Sequence, residues 1–233
     1  MKFLTQEQFT EMWKLQDSLN TATSGEDWKE KNQNWNLAIK SEVMEFFDYI
    51  GWKWWKEPSK TQKPSDMQAR LELVDIWHFL LSSIIETTSL HVDWEWERLE
   101  KEVEILRDCS VSYGVGRVQL LDAPFTNNAQ KVLYLSDSLV GCEWSWEELY
   151  KAYIGKVALN NFRQANGYKE GTYVKIWESF AEYDPEDGAV IEVIEREDNY
   201  FLEQILSELS LTEGALTYQA VYAKLGIEYM LRC

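Results

Sequence analysis

Arg70–Phe79, RLELVDIWHF, decides how this chain folds. Leu71, Leu73, Val74, Ile76, Trp77 and Phe79 run on into Leu80, Leu81, Ile84 and Ile85. A helix from about Met67 to Thr87, capped at Ser65 or Asp66, therefore has no polar face and must be buried on nearly all sides. Glu72, Asp75 and His78 nevertheless sit within it. At about 100° per residue Glu72 and Asp75 fall on either side of Phe79, on one arc of an apolar cylinder. Buried charges without partners are rare, so binding of a cation is the economical account of the two acids, and a structural salt bridge is the plainer alternative. His78 on its own reads as a satisfied core residue.

A second acidic stretch precedes it, Ala38–Asp48, AIKSEVMEFFD. Its helix, from about Asn36 to Ile50, has an apolar stripe at Ile39, Val43, Phe46 and Ile50. Glu42 and Glu45 lie on the flank of that stripe, whereas Asp48 lies nearly opposite it and reads as a solvated charge. Each stretch thus offers two carboxylates three residues apart, a spacing that turns both toward one side of a helix. If the two helices face each other, Glu42, Glu45, Glu72 and Asp75 converge. Burying one unpaired ion costs up to about 20 kcal/mol in the idealised limit, so a cation belongs between them. Hard oxygen donors select Mg²⁺ or Mn²⁺ over zinc, and Mg²⁺ held by carboxylates commonly works on phosphates.

Composition narrows the classes. With 233 residues, 45% of them hydrophobic, and 12 Trp, the chain can build a substantial core. A formal charge of −17 and the lack of a basic stripe exclude nucleic acid and anionic membrane as expected partners, leaving room for a small anionic substrate in a cleft where metal ions reverse the sign. Cys109, Cys142 and Cys233 are odd in number and widely spaced, which reads as reduced thiols. The start, MKFLTQEQF, is not a signal peptide, and no stretch has the apolar length of a membrane span; a cytoplasmic protein is expected.

Further helices follow from period and caps. Thr5 with Gln8 reads as a capping box for a helix to about Asn20, with Phe9, Met12, Leu15 and Leu19 inward. Gln16 and Asn20 share one of its faces. Such a pair is ordinarily just solvated; the functional alternative is that carboxamides, with donor and acceptor together, read a base edge. Thr21–Asn34 is a polar loop. After Gly51, WKWWK brings Trp52, Trp54 and Trp55, read as packing residues, and Lys53 and Lys56, which face a phosphate or water. Trp94–Asp108 is a charged amphipathic helix with Trp94, Leu99, Val103 and Leu106 toward a core. Gly114, Gly116 and Pro124 break the chain, and helices follow from about Asn128 to Val140 and from Ser145, boxed with Glu148, to about Gln164.

Lys156–Trp177, KVALNNFRQANGYKEGTYVKIW, gathers cations and amides in an otherwise acidic chain. Lys156, Asn160 and Arg163 recur at four and three, so one helix face carries all of them, and Tyr168 and Lys169 follow the helix stop at Asn166–Gly167. A solvated cationic face and an anion clamp are both open from spacing. Beyond Glu178 the chain turns acidic, with a short strand at Val190–Ile194 and amphipathic segments at Tyr200–Leu209 and Tyr218–Leu231. The expected layout is an all-α helical bundle over residues 1–180, with an insert around 94–126, and an acidic extension over 181–233.

LQDSLNTATSGEDW (Leu15–Trp28), SEVMEFFD (Ser41–Asp48), WKWWK, LELVDIWHFLLS (Leu71–Ser82) and LNNFRQANGYKEGTYVKIW (Leu159–Trp177) together resemble the dimeric, all-α dUTPases, within the all-α NTP pyrophosphatases. The resemblance implies hydrolysis of dUTP and dUDP to dUMP, releasing pyrophosphate or phosphate. It makes Glu42, Glu45, Glu72 and Asp75 the ligands of two or three Mg²⁺ ions, with Mn²⁺ as a substitute, and gives Glu42 or Glu45, with Glu42 favoured, the orientation of the attacking water. It matches Gln16 and Asn20 to uracil-reading amides, Lys156, Arg163, Tyr168 and Lys169 to phosphate contacts, and Asn160 to the nucleoside. It also implies a homodimer with shared sites. The rivals are a related pyrophosphohydrolase for another nucleotide such as dCTP, a di-iron carboxylate bundle, which Glu72, Asp75 and His78 would encourage, and a nucleotide-binding protein without catalysis.

Overall fold

A computed structural model describes residues 2–53, 55, 66–109, 126–183, 189–212 and 214–233. Trp54, Lys56, Pro58, Pro64, the cap expected at Ser65 or Asp66, the glycines 114 and 116, and Pro124 lie outside the described side chains. The chain forms two compact units, Met1–Tyr153 and Ile154–Cys233.

In the first unit α1 (Gln6–Ser24) starts on the expected capping box: Gln8 N donates to Thr5 Oγ1 at 3.2 Å and Thr5 N to Gln8 Oε1 at 3.1 Å. It ends at Gly25, whose φ of 93° suits a residue without Cβ. A 3-10 turn, Trp28–Glu30, leads to α2 (Trp35–Tyr49), then to α3 (Asp66–Thr87), α4 (Val92–Cys109), α5 (Asn128–Gly141) and α6 (Trp146–Ala165), which runs across the unit boundary. α3 is the axis, with α1, α2 and α5 packed on it, and Leu73, Val74, Trp77, Leu81 and Ile84 are completely shielded. Its apolar surface all round is therefore used, as the pattern demands. The second box also forms, Ser145 N donating to Glu148 Oε2 at 2.7 Å and Glu148 N to Ser145 Oγ at 3.3 Å.

Two expectations about tryptophan fail. Trp94 is 65% exposed, because it projects about 140° away from Leu99 on α4, while Glu95, about 40° away, takes the inward place. Glu95 is tolerated there because Arg98 Nε donates to its Oε2 at 3.1 Å and Thr88 Oγ1 to the same oxygen at 2.9 Å. Trp52 and Trp55 are 40% and 55% exposed and meet edge to face rather than closing a core. Trp52 Nε1 donates to Asp48 at 2.9 Å, and Lys53 pairs with the same carboxylate, so Asp48 is engaged on the surface, away from the other acids of α2.

In the second unit β1 (Ile176–Tyr183) and β2 (Val190–Glu197) pair antiparallel, and α7 (Asp198–Ser210) and α8 (Tyr218–Arg232) follow. The C-terminal part of α6 supplies Ala158, Leu159 and Phe162 to a core with Trp177, Phe201, Leu202, Ile205, Leu206, Val221 and Leu225. Gly155 sits against Leu206 of α7: a Cβ there would lie 2.8 Å from Leu206 Cδ2. Gly155→Ala is expected to cost about 1–3 kcal/mol through overpacking, read as a lower urea midpoint at unchanged m-value.

Mostly helix, with one small hairpin among the described residues, the fold is all-α. Among the described residues no helix is long and apolar enough to cross a membrane.

Candidate active site

α2 and α3 pack along each other and bring Glu42, Glu45 and Glu72 together, one carboxylate oxygen of each lying within 4.8 Å of the others. The local reason is the flank position on both helices. Ile39, Val43 and Phe46 turn α2 onto α3, which leaves Glu42 half-buried at the seam and Glu45 at its exposed rim. Glu72 is only 8% exposed on its apolar helix. Asp75, one turn further along α3, is half-buried and lies outside this triad.

Three carboxylates at this separation repel one another, and a divalent cation among them removes the repulsion. Hard, anionic oxygens with no thiolate or imidazole in the group suit Mg²⁺ or Mn²⁺, so the residues present fit such an ion. His78 is not in the group; its Nδ1 lies 2.7 Å from Gln16 Oε1.

Gln16 and Asn20 are not a solvated surface pair. They are 3% and 6% exposed, because the inward face of α1 that carries Phe9, Met12 and Leu19 also carries them. Gln16 Nε2 donates to Asn20 Oδ1 at 3.0 Å, and Asn20 Nδ2 donates to Ser82 Oγ at 3.0 Å. Ser82 Oγ donates in turn to the main-chain oxygen of His78 at 2.8 Å. The Tyr153 hydroxyl lies 3.0 Å from both Gln16 Oε1 and Met12 O. Burial pushes that hydroxyl well above the usual 10, so it remains a proton donor. Ser82 and Tyr153 escaped the reading of the sequence. For Ser82 a signal existed, a hydroxyl four residues from His78 in an otherwise apolar run; Tyr153 left none.

In the second unit the cationic helix face forms as spaced. Lys156 is 4% exposed, with Nζ 3.5 Å from Asn199 Oδ1. Arg163 grips the fully buried Asp198 with Nε to Oδ2 and Nη2 to Oδ1, both at 2.7 Å, and Nη1 donates to Asn160 Oδ1 at 3.1 Å. Tyr168 and Lys169 are exposed just beyond the helix, Tyr168 with its ring 5.9 Å from the Arg163 guanidinium.

The chain is thus an all-α bundle in which two facing helices bring three carboxylates together, a group whose oxygens suit a divalent cation. Residues 8–168 match the dUTPase family, and the chain belongs to it, in its dimeric, all-α branch. It is accordingly a nucleoside triphosphate pyrophosphohydrolase with dUTP as the family's substrate. No curated protein matches the chain.

Proposed function

We propose that this enzyme hydrolyses dUTP, and also dUDP, to dUMP with Mg²⁺ at the α2–α3 seam, limiting uracil in DNA and supplying dUMP. The observation that carries it is the closure of Glu42, Glu45 and Glu72 into one oxygen-only group within the matched residues. Asp75 is assigned as the fourth carboxylate, and two or three ions, with Mn²⁺ as a substitute, are proposed. Bound there, the cation supplies neutralisation of the phosphates and a more acidic water. Glu42, at the half-buried seam, accepts a hydrogen bond from the attacking water and aims it, while Glu45 completes the ligand set. Lys156, Arg163, Tyr168 and Lys169 are assigned to the phosphates, where fixed positive charge favours the more anionic transition state. Arg163 serves as a charge fixed in place, since its fork already holds Asp198. Asn160 faces the nucleoside, and Gln16 with Asn20 the uracil. Catalysis is assigned to residues 1–180 with 181–233 as an extension, in a cytoplasmic homodimer.

A panel of nucleotides with Mg²⁺, read out as pyrophosphate and phosphate, tests this directly. dUTP should give pyrophosphate and dUDP phosphate, with dCTP poorly used; preferential release from dCTP would move the assignment to the related pyrophosphohydrolases. In the same assay Gln16→Ala should raise KM for dUTP and lower the dUTP/dCTP ratio of kcat/KM by about tenfold, the value of one buried hydrogen bond. An unchanged ratio would remove Gln16 from base reading.

A further inference from the structure

The relay through Gln16 and Asn20 has a direction, set from the end at the main-chain oxygen of His78. That oxygen can only accept, so the Ser82 hydroxyl donates to it and the Ser82 oxygen accepts from Asn20 Nδ2. Asn20 Oδ1 is then the acceptor for Gln16 Nε2. That leaves Gln16 Oε1 as the group facing His78 Nδ1 at 2.7 Å, and an oxygen meets a ring nitrogen at that distance only if the nitrogen carries the proton. The ring is held in place for this, its centroid 4.4 Å from that of Tyr153 and tilted by 31°. The one hydrogen of the Tyr153 hydroxyl lies between Met12 O and Gln16 Oε1, each at 3.0 Å, so the lock is His78: with its Nδ1–H toward Gln16 Oε1, neither amide can turn over without setting donor against donor.

Each carboxamide nitrogen has two hydrogens. Gln16 Nε2 uses one on Asn20, and Asn20 Nδ2 uses one on Ser82. The buried pair therefore retains two N–H donors, a surface complementary to a carbonyl oxygen and adverse to an amino group.

We propose that His78 is a specificity-determining positioning residue: by donating Nδ1–H to Gln16 it locks the amide relay with N–H outward, so that the site takes the 4-keto oxygen of uracil and rejects the 4-amino group of cytosine. The proposal rests on the assignment of Gln16 and Asn20 to the base. Ser82 is the corresponding lock at the Asn20 end. Without His78, Gln16 can reverse and present Oε1, which suits an amino group.

The test compares kcat/KM for dUTP and dCTP in wild type, His78→Phe and His78→Asn, together with the ¹⁵N resonances of His78 in the wild-type protein. His78→Phe should lower the dUTP/dCTP ratio about tenfold, mainly by improving dCTP relative to dUTP, as expected for one buried hydrogen bond lost. His78→Asn, whose amide can place an N–H near the position of Nδ1, should restore the ratio toward wild type. The ¹⁵N spectrum should show a protonated Nδ1. A wild-type ratio in His78→Phe, or an unprotonated Nδ1, overturns the proposal. If His78→Phe does not fold, His78→Asn and the spectrum still decide it. Equal use of dUTP and dCTP by the wild-type enzyme would instead overturn the assignment of function, whatever the tautomer of His78.

Discussion

Glu45→Gln is expected to lower kcat for dUTP by about 10²- to 10⁴-fold, because a metal centre supplies several kcal/mol of transition-state stabilisation. The substitution keeps the shape of the side chain and removes one negative charge. Glu45 is exposed at the rim of the α2–α3 seam, so the loss cannot be charged to unfolding. Its effect on stability has a sign that identifies the cause. Without divalent cation the variant should be as stable as wild type or slightly more so, since one of three mutually repelling carboxylates within 4.8 Å has been neutralised. With Mg²⁺ the wild type should gain stability by mass action, and Glu45→Gln should gain much less. Thermal melts with EDTA and with a Mg²⁺ series check both halves. Near-normal turnover, or an undiminished Mg²⁺ shift, would sink the metal assignment.

How far the chain could be read before its structure depended on the range of the interactions involved. The caps at Thr5 and Ser145 are local, their partners being Gln8 and Glu148 three residues on, and both were legible. α3 was legible too, because an all-apolar surface needs no knowledge of what covers it. The convergence expected of Glu42, Glu45, Glu72 and Asp75 rested on the condition that α2 and α3 face each other; the two helices do, and three of the four acids meet while Asp75 lies outside the group. Trp94 and Glu95 show where the reasoning broke: hydrophobicity outranked geometry, although a one-residue shift on α4 exchanges a core position for a solvent one. β1 was missed for a related reason. Trp177 is its one buried residue, so no period-two pattern marks it as a strand. Gln16 and Asn20 were legible as a pair but not as buried, since the groups that make burial tolerable come from α3 and α6.

The pairing of Arg163 with Asp198 had no signal at all, being set by partners thirty-five residues apart, and it carries the second large expectation. Asp198 is completely shielded and accepts from Arg163 twice and from the Tyr173 hydroxyl at 2.8 Å. Burial, reinforced by the Asp198 carboxylate, drives the Tyr173 hydroxyl far above 10, so it stays a donor throughout the working range of pH. Asp198→Asn turns an amide N–H₂ toward an N–H of the Arg163 guanidinium, which can only donate, and removes the carboxylate charge that balances Arg163, whose side chain is 13% exposed. The expected cost is about 3–5 kcal/mol, read from urea unfolding. Arg163→Met should cost a similar amount by stranding the carboxylate. Arg163→Met combined with Asp198→Leu removes both charges and should recover most of the loss, because two uncharged residues carry no desolvation penalty. If the double variant instead loses the sum of the two single costs, the pair is not coupled as described. Arg163 lies inside the matched residues 8–168 and Asp198 outside them. Residues beyond the matched stretch therefore hold Arg163 in place, so their removal is expected to perturb a residue proposed to contact the phosphates.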